Sequence, residues 1–295
     1  GTFGAAHLIE HERDAVIADN VITESGGIPL SSPSGVKLPV LVAEKGTWWC
    51  TLRIRGTPGH ASQPYGTDNA LVKAAEVVGR LAGLLPPAVI HDTWRRFVSA
   101  MGFPEELSGL LVDPAGIEDA CKMLPLAIAR QFHACTHTTI APTVVRGGVK
   151  TNVIPDNVEL ELDVRTLPGQ RGPDVKRLLD DALGDLRDEV EVVQAHDDPS
   201  TESAVTTALW DCLDRTTKRF YADSSVVPML SGGATDARFF RRAGSTAYGF
   251  GLFSRRITFE QYGAMFHGDD ERVDLESLRL STELWGAVAR DLLAG

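Results

Sequence analysis

The chain has 295 residues, of which 43% are hydrophobic, values that are ordinary for a soluble globular protein of about two domains. Its 40 acidic and 29 basic residues give a net charge of −11, which argues against a nucleic-acid partner, since binding to a phosphate backbone needs a basic surface. No apolar run approaches the ~20 residues that span a membrane. We therefore expect no membrane partner, and the predicted location is the cytoplasm.

The four cysteines lie far apart in the sequence. Cys50, Cys121, Cys135 and Cys212 show no CxxC or CxxH spacing, so neither a zinc finger nor a disulfide framework is indicated. We expect reduced thiols, as in cytosolic proteins.

The first 47 residues predict a helix, a short buried strand and a loop. Apolar residues recur at loosely helical spacing over residues 1–14, and the apolar run at 15–18 predicts a strand. Gly26 and Gly27, followed by Pro29, end regular structure. Glu24 is therefore expected at or just past the end of a strand, where open α/β sheets place their ligands.

Residues 48–194 alternate between strand and helix patterns. WWCTLRIR predicts a strand with Trp48, Cys50, Leu52 and Ile54 on one face. Residues 71–85 predict an amphipathic helix, capped at 67 or 68, whose apolar face is formed by Leu71, Ala74, Ala75, Val78 and Leu81. A largely helical insert covers 86–137, and two strands, a helix and a short strand follow. The order β-α-(insert)-β-β-α-β is typical of a ferredoxin-like unit.

The outer segments, 1–47 and 195–295, return to an α/β pattern. We expect them to form one domain, into which the 48–194 domain is inserted. The predicted fold class is α/β, with an α+β lid.

Several short motifs could carry chemistry. SGGATDARFF places Gly232 and Gly233 before a helix, where backbone N–H groups can bind a carboxylate or oxyanion. His60 lies in a loop bounded by glycine and proline. A carboxylate at Glu24 and an imidazole at His267 are suitable zinc ligands, although two ligands do not define a site. Taken singly, each also fits an ordinary turn, cap or surface side chain.

In combination, the motifs are far more specific. The succession TESGG, RGTPGHASQP, TIAPTVVRGGVKTNVIPDNVELELDVRTLPG, SGGATDARFF and FHGDDERV resembles the dinuclear zinc amidohydrolases and peptidases of the aminoacylase, carboxypeptidase G, acetylornithine deacetylase and succinyl-diaminopimelate desuccinylase superfamily. The resemblance covers essentially the whole chain. It implies a zinc domain interrupted by a ferredoxin-like lid and dimerisation domain, and hence a homodimer formed through the lid.

The resemblance also implies the metal chemistry. Glu24 would bind the first metal and His267 the second, with zinc as the expected ion and cobalt or manganese as substitutes. The intact enzyme would hold two zinc ions per subunit. Two such ions can activate a water and polarise an amide carbonyl.

The remaining implied roles concern the substrate, a small peptide or N-acyl amino acid with a free carboxylate. His60 would reach across the dimer interface to polarise the scissile carbonyl, and Asn152 would help to hold the tetrahedral intermediate. Arg165 would anchor the carboxylate through its bidentate fork. Gly232 and Gly233 would offer backbone donors to the same end of the substrate.

One part of the family pattern has no counterpart. The family places an HxD motif, a bridging aspartate and a Glu-Glu pair ahead of a GGTFGA-like segment, and this chain begins at GTFGA. We therefore expect a missing N-terminal part, and 295 residues that alone neither bind two zinc ions tightly nor hydrolyse a substrate.

Two other functions are possible from the sequence. The alternative is a non-catalytic dimerising or ligand-binding relative that has lost the metal site. The survival of Glu24 and His267 favours the enzyme over this relative. RNA binding by the ferredoxin-like unit is disfavoured by the charge and by the lack of aromatic residues on the NVELELDVR strand.

Overall fold

The computed structural model describes residues 2–266 and 268–294. The chain divides into two compact units. The outer unit comprises Gly1–Lys45, Ala88–Thr136 and Thr201–Gly295, and the inserted unit comprises Gly46–Pro87 and His137–Ser200.

The strands are distributed over both units. In chain order they are β1 (Asn20–Thr23), β2 (Leu30–Ser32), β3 (Gly35–Glu44), β4 (Gly46–Arg55), β5 (Gly59–His60), β6 (Thr139–Gly147), β7 (Val153–Ile154), β8 (Asn157–Thr166), β9 (Val190–Asp198), β10 (Thr201–Glu202), β11 (Ser224–Ser231) and β12 (Thr246–Gly249).

The helices are mostly short. In chain order they are α1 (His7–His11), α2 (Arg13–Val16), α3 (Ala70–Ala82), α4 (Asp92–Met101), α5 (Glu105–Leu111), α6 (Ile117–Lys122), α7 (Leu126–Thr136), α8 (Gly172–Leu183), α9 (Ala208–Thr217), α10 (Ala237–Arg242), α11 (Phe259–Met265) and α12 (Leu275–Leu293). A π-helical turn, Thr2–Ala6, precedes α1, and a 3₁₀ segment, Gly184–Glu189, follows α8. Within the described residues, no helix has both the length and the apolar character to cross a membrane.

The inserted unit is an antiparallel sheet in the order β6-β8-β4-β9, with α3 and α8 packed against its core. In β4, Trp48, Cys50, Leu52 and Ile54 are buried, which confirms the predicted face. On the opposite face Arg53 pairs with glutamates of β8 and β9. The strand order and the order of elements are those of a ferredoxin-like fold, as predicted.

The outer unit is built on a mixed sheet in the order β1-β12-β3-β10. β1 runs parallel to β12, and β11 runs parallel to β3, while β2 and β10 pair with β3 antiparallel. β3 is the centre of this sheet, and its residues Leu38, Val40, Val42 and Ala43 are fully buried. The α/β class with an α+β insertion is confirmed.

The helical insert lies in a different unit from the one expected. Residues 86–137 were predicted to extend the inserted domain, but Ala88–Thr136 belongs to the outer unit. α4 packs on β11, and the Cys135 thiol lies 3.5 Å from the Leu230 carbonyl oxygen. Val89 N–H donates to the Thr136 carbonyl oxygen at 2.7 Å, so the two ends of this helical segment are hydrogen-bonded to each other. An amphipathic pattern predicts a buried face without identifying the surface that buries it.

Two local predictions are also shifted. Of the segment 15–18 predicted as a strand, residues 15 and 16 end α2 and Ile17 is its extended C-cap, and β1 begins at Asn20, whose backbone pairs with β12. Asn69, one residue beyond the predicted cap positions 67 and 68, caps α3 by accepting from Leu71 N–H at 2.9 Å.

The four cysteines are free thiols. Cys50, Cys135 and Cys212 are buried. Burial raises the pKa of Cys50 to about 12 and that of Cys135 to about 11. A thiol with such a pKa is protonated at neutral pH, so these groups act as packing residues rather than nucleophiles.

Candidate functional site

Glu24 begins a tight turn directly after β1. Ser25, Gly26 and Gly27 have φ values of 71°, 78° and 71°, in the left-handed region that glycine adopts without strain. A Cβ on Gly26 would lie 2.5 Å from the Gly249 carbonyl oxygen, and Gly27 N–H donates to the Pro39 carbonyl at 2.7 Å. The close backbone approach therefore requires glycine, and it leaves the Glu24 side chain exposed at the edge of the turn.

The SGGATD loop joins β11 to α10 and meets this turn. Asp236 N–H donates to Glu24 Oε1 at 3.1 Å, and Thr235 N–H donates to Glu44 Oε2. The sequence predicted that backbone N–H groups of this loop would bind a carboxylate. The structure shows that two of them bind carboxylates of the chain itself, which fixes Glu24 against the loop.

The two glycines of the loop border open space. A Cβ on Gly232 or Gly233 would have no heavy atom within 4 Å, and Gly233 N–H donates to Ser231 Oγ at 3.3 Å. Steric crowding therefore does not explain glycine here. Both residues line a cavity of about 530 Å³ whose buried wall includes Leu41, Met229 and Leu230.

A buried ion pair lies next to the SGGATD loop and is hydrogen-bonded to it through Thr235 N–H. The side chains of Glu44 and Arg241 are 2% and 4% exposed and lie 3.2 Å apart. Burial lowers the pKa of Arg241, while the charge of Glu44 opposes this effect. The sequence analysis did not single out Glu44. The sequence feature that could have identified Glu44 is its position as an acidic residue at the end of the apolar strand VLVAEK.

The predicted metal ligands are only partly described by the structure. Glu24 has the chemistry of a zinc ligand, but within residues 2–266 and 268–294 no group of three His, Cys, Asp or Glu side chains includes it. His267 lies outside the described residues. The described residues therefore do not complete a metal site around Glu24.

A separate histidine and glutamate approach each other on the helical insert. His133 Nε2 on α7 lies 3.3 Å from Glu118 Oε1 on α6. The pair forms an ion pair when the imidazole is protonated. Neither residue had been predicted to have a role.

His60 and Asn152 are brought together in the inserted unit. β5 pairs with β7, so His60 lies opposite Val153, and Ala61 N–H donates to the Asn152 carbonyl at 3.1 Å. His60 Nδ1 accepts from Ser62 N–H at 3.2 Å and lies 2.7 Å from Ser62 Oγ. The neutral imidazole thus carries its proton on Nε2, which is exposed to donate a hydrogen bond.

Arg165 already has a carboxylate partner. Its Nε and Nη2 donate to the two oxygens of Asp163 at 2.6 and 2.8 Å, and Nη1 donates to Thr47 Oγ1 at 3.0 Å. Its guanidinium also lies 5.5 Å from the centre of the Trp49 ring. A substrate carboxylate would have to share or displace Asp163.

Comparison with known proteins gives the family. Residues 42–191, more than half of the chain, match the peptidase dimerisation domain of M20 peptidases. The chain belongs to the M20 peptidase family. The resemblance to dinuclear zinc peptidases and amidohydrolases is thereby confirmed.

Individual M20 relatives agree with this assignment. The chain is 24% identical over 294 residues to the N-fatty-acyl-amino acid synthase/hydrolase PM20D1 of Xenopus tropicalis, covering 97% of this chain and 56% of the relative. It is 27% identical over 252 residues to the human protein of that name, covering 81% of this chain and 47% of the relative. The chain thus spans about half the length of the curated relatives that it matches.

Solved M20-type structures share the fold. The dipeptidase Dug1p of Saccharomyces cerevisiae superposes with a TM-score of 0.64 at 15% identity, over 99% of this chain and 63% of the other. The metallo-carboxypeptidase Sso-CP2 of Sulfolobus solfataricus gives 0.60 at 18% identity, over 97% and 65%.

Proposed function

We propose that the protein containing this M20 chain is a metal-dependent hydrolase that cleaves a peptide or N-acyl amide bond in a substrate with a free carboxylate. The observation that carries the proposal is the junction of Glu24 with the SGGATD loop beside a cavity. Family membership supports hydrolysis, and the relatives named as N-fatty-acyl-amino acid synthase/hydrolases and as a dipeptidase support amide substrates.

Zinc, when bound, would supply Lewis acidity toward the amide carbonyl, and Glu24 and His267 are the proposed ligands. In the inserted unit, the exposed Nε2–H of His60 would donate to the scissile carbonyl oxygen, with Asn152 as a neighbouring donor. Arg165 would bind the substrate carboxylate, and Gly232 and Gly233 would offer backbone N–H groups to the substrate.

The decisive test is hydrolysis by the whole encoded protein, including whatever residues flank this chain. Release of free amine from N-acyl amino acids and dipeptides should require a divalent metal and stop on chelation. Glu24→Gln keeps an acceptor for Asp236 N–H but removes the charge. It should lower kcat/KM by about 100-fold or more, since loss of even an outer partner of a metal ligand costs roughly 10–100-fold.

A matched control distinguishes the loss of the Glu24 charge from the loss of a glutamate charge elsewhere in the chain. Glu10 is an exposed glutamate on α1, and Glu10→Gln should leave hydrolysis unchanged. Hydrolysis that persists after both chelation and Glu24→Gln would refute the proposal. Binding of N-acyl amino acids by a protein that holds no metal and cleaves none of them would instead support the non-catalytic relative.

For the 295 residues by themselves, we expect neither tight binding of two zinc ions nor hydrolysis. The reaction needs a bridging carboxylate and a general base, and Glu24 has no second and third ligand among the described residues. Zinc analysis by mass spectrometry after dialysis, together with an amide hydrolysis assay, would check this. Metal-dependent turnover by the isolated chain would contradict it.

A further inference from the structure

Two histidines lie one helical turn apart on α1. His7 and His11 are exposed, and their imidazole rings stack with centroids 4.2 Å apart and an interplanar angle of 24°. Side chains at positions i and i+4 lie on one face of a helix, so α1 presents both rings to the same side. The proposed function uses neither residue.

The tautomer of His11 is fixed by the helix itself. Its Nδ1 lies 3.0 Å from the His7 carbonyl oxygen, and a carbonyl can only accept, so Nδ1 carries the proton. In the neutral imidazole the lone pair is therefore on Nε2. A metal-ligating histidine is typically oriented in this way, by donating its other ring N–H to a carbonyl or a carboxylate. His11 is thus held as a metal ligand would be.

The two rings are close enough to share one ion. Two bonds of about 2.1 Å to imidazole nitrogens, at a tetrahedral angle, place those nitrogens about 3.4 Å apart. Since the ring centroids are 4.2 Å apart, a small rotation of either side chain brings one nitrogen of each ring to that separation. In the part of the chain that the structure describes, no third His, Cys, Asp or Glu side chain forms a group with them, so water would complete the coordination.

The surroundings of the pair favour a cation. Residues 10–14 carry three carboxylates and one guanidinium, and this excess of negative charge attracts a divalent ion, more strongly at low salt. Imidazole ligands suit zinc, copper and nickel, whereas magnesium and calcium prefer oxygen ligands. The chemistry of the pair therefore selects late first-row ions.

We propose that His7 and His11 form a chelating site for one divalent late first-row transition-metal ion, bound through one nitrogen of each ring. The ion joins the two ends of α1, a helix of 5 residues. Because it binds the helical form through both rings, it stabilises α1. The proposal does not depend on the proposed hydrolase function, since its readouts are metal binding and the stability of α1.

The test is calorimetric titration of the chain with Ni²⁺ and Zn²⁺, with Mg²⁺ as the ion that should not bind to the pair. His7→Ala and His11→Ala should each weaken the binding of one ion by about tenfold or more, since the second of two joined ligands binds at a high effective concentration. His196→Ala, which removes an exposed histidine of the inserted unit, is the matched control and should bind as the parent does.

A positional variant keeps two imidazoles in the segment. His11→Ala/Glu12→His moves one ring off the shared face of α1 and should also lose the site. Hydrogen exchange gives a second readout that needs no variant, because Glu12 N–H donates to the Leu8 carbonyl at 2.7 Å. At a Ni²⁺ concentration of about ten times Kd, exchange of this N–H should slow about tenfold in the parent.

Circular dichroism establishes that each variant is folded, as expected for alanine at an exposed helical position. Equal binding by the parent and both single variants, or a loss in only one of them, would overturn the chelate. Exchange of Glu12 N–H that is unchanged by saturating Ni²⁺ would overturn binding of the ion across α1. Absence of hydrolysis in the whole protein would refute the proposed function alone.

Discussion

Glu44 is a single carboxylate that holds together several parts of the outer unit. It lies at the end of β3, where its oxygens accept from Arg241, from Thr201 Oγ1 at 2.8 Å, and from Thr235 N–H in the glycine loop. Arg241 in turn donates to the carbonyls of Leu41 and Ala247 at 3.1 and 3.0 Å. The charge is buried, so each of these donors compensates for lost hydration.

We predict that Glu44→Ala lowers the free energy of unfolding by about 3–5 kcal/mol, because it leaves the Arg241 charge buried without its partner. The double variant Glu44→Ala/Arg241→Met should recover much of this loss, since both charges are then gone. Urea unfolding of the two single variants and the double variant measures the coupling.

The control is an exposed ion pair of the same unit. Glu283 and Arg279 are paired on α12 with side chains about half exposed, so Glu283→Ala should cost less than about 1 kcal/mol. If Glu44→Ala costs as little as this control, the buried pair does not support the loop.

At the scale of elements, the N-cap of α4 depends on the protonation state of His91. His91 precedes the helix, its Nδ1 accepts from Trp94 N–H at 3.3 Å, and its Nε2 lies 2.9 Å from the Cys135 carbonyl oxygen. The neutral tautomer with the proton on Nε2 satisfies both contacts. Burial lowers the pKa of His91 from 6.5, while the Cys135 carbonyl opposes this shift.

The sign of the pH effect follows from this direction. Because the folded chain binds the proton less readily than the unfolded chain, the stabilisation is complete above about pH 6.5 and is lost as the pH falls through the lowered pKa. We predict that the free energy of unfolding decreases between pH 7.5 and 5.5, and that His91→Asn weakens this decrease. Asparagine keeps the cap, but loss of the Cys135 contact costs about 1 kcal/mol at pH 7.5.

Urea unfolding at the two pH values checks this prediction. His11→Asn removes an exposed histidine of α1 and should retain the pH dependence of the parent. An unaltered pH dependence in His91→Asn would show that another group is responsible.

The same scale shows what periodicity can and cannot predict. In α3 the predicted apolar face included Leu71, yet the buried residues are Ala70, Ala74, Val77 and Leu81, and Leu71 is 51% exposed. Helical spacing located the helix correctly. A rotation of a fraction of a turn changes which apolar residues are buried, and packing against β4 and β8 sets that rotation.

At the scale of the whole molecule, the inserted unit has an apolar edge. β6 ends its sheet, and Val144 and Val145 on it are 36% and 59% exposed. α3, which packs beside β6, exposes Leu71 and Val72. An exposed edge strand with apolar neighbours is a template for pairing with another chain.

We predict that the protein is a homodimer in which the β6 edges of two copies pair, in keeping with a dimerisation-domain match. Val145→Glu should shift it towards monomer in light scattering coupled to size-exclusion chromatography, since the new charges would face each other or lose hydration. Leu293→Glu, at an 86% exposed position in the outer unit, should remain dimeric. A parent protein that is monomeric, or a dimer unaffected by Val145→Glu, would contradict this interface.

The sequence by itself determined the features that depend on short-range regularities. Alternation in WWCTLRIR and NVELELDVR predicted the sheet of the inserted unit, and Gly26 and Gly27, both at positive φ, predicted the turn that follows Glu24. The order of motifs gave the family. These succeed because strand and helix periods, and the requirement for glycine at positive φ, are properties of neighbouring residues.

Only the tertiary structure decided which distant residues meet. No local sequence pattern predicts the ion pair of Glu44 and Arg241, the ion pair of Asp163 and Arg165, or the cavity between α7 and α11. The helical segment 88–136 joined the outer unit for the same reason. Burial and charge pairing are settled between residues far apart in the chain, where packing rather than periodicity sets the free energy.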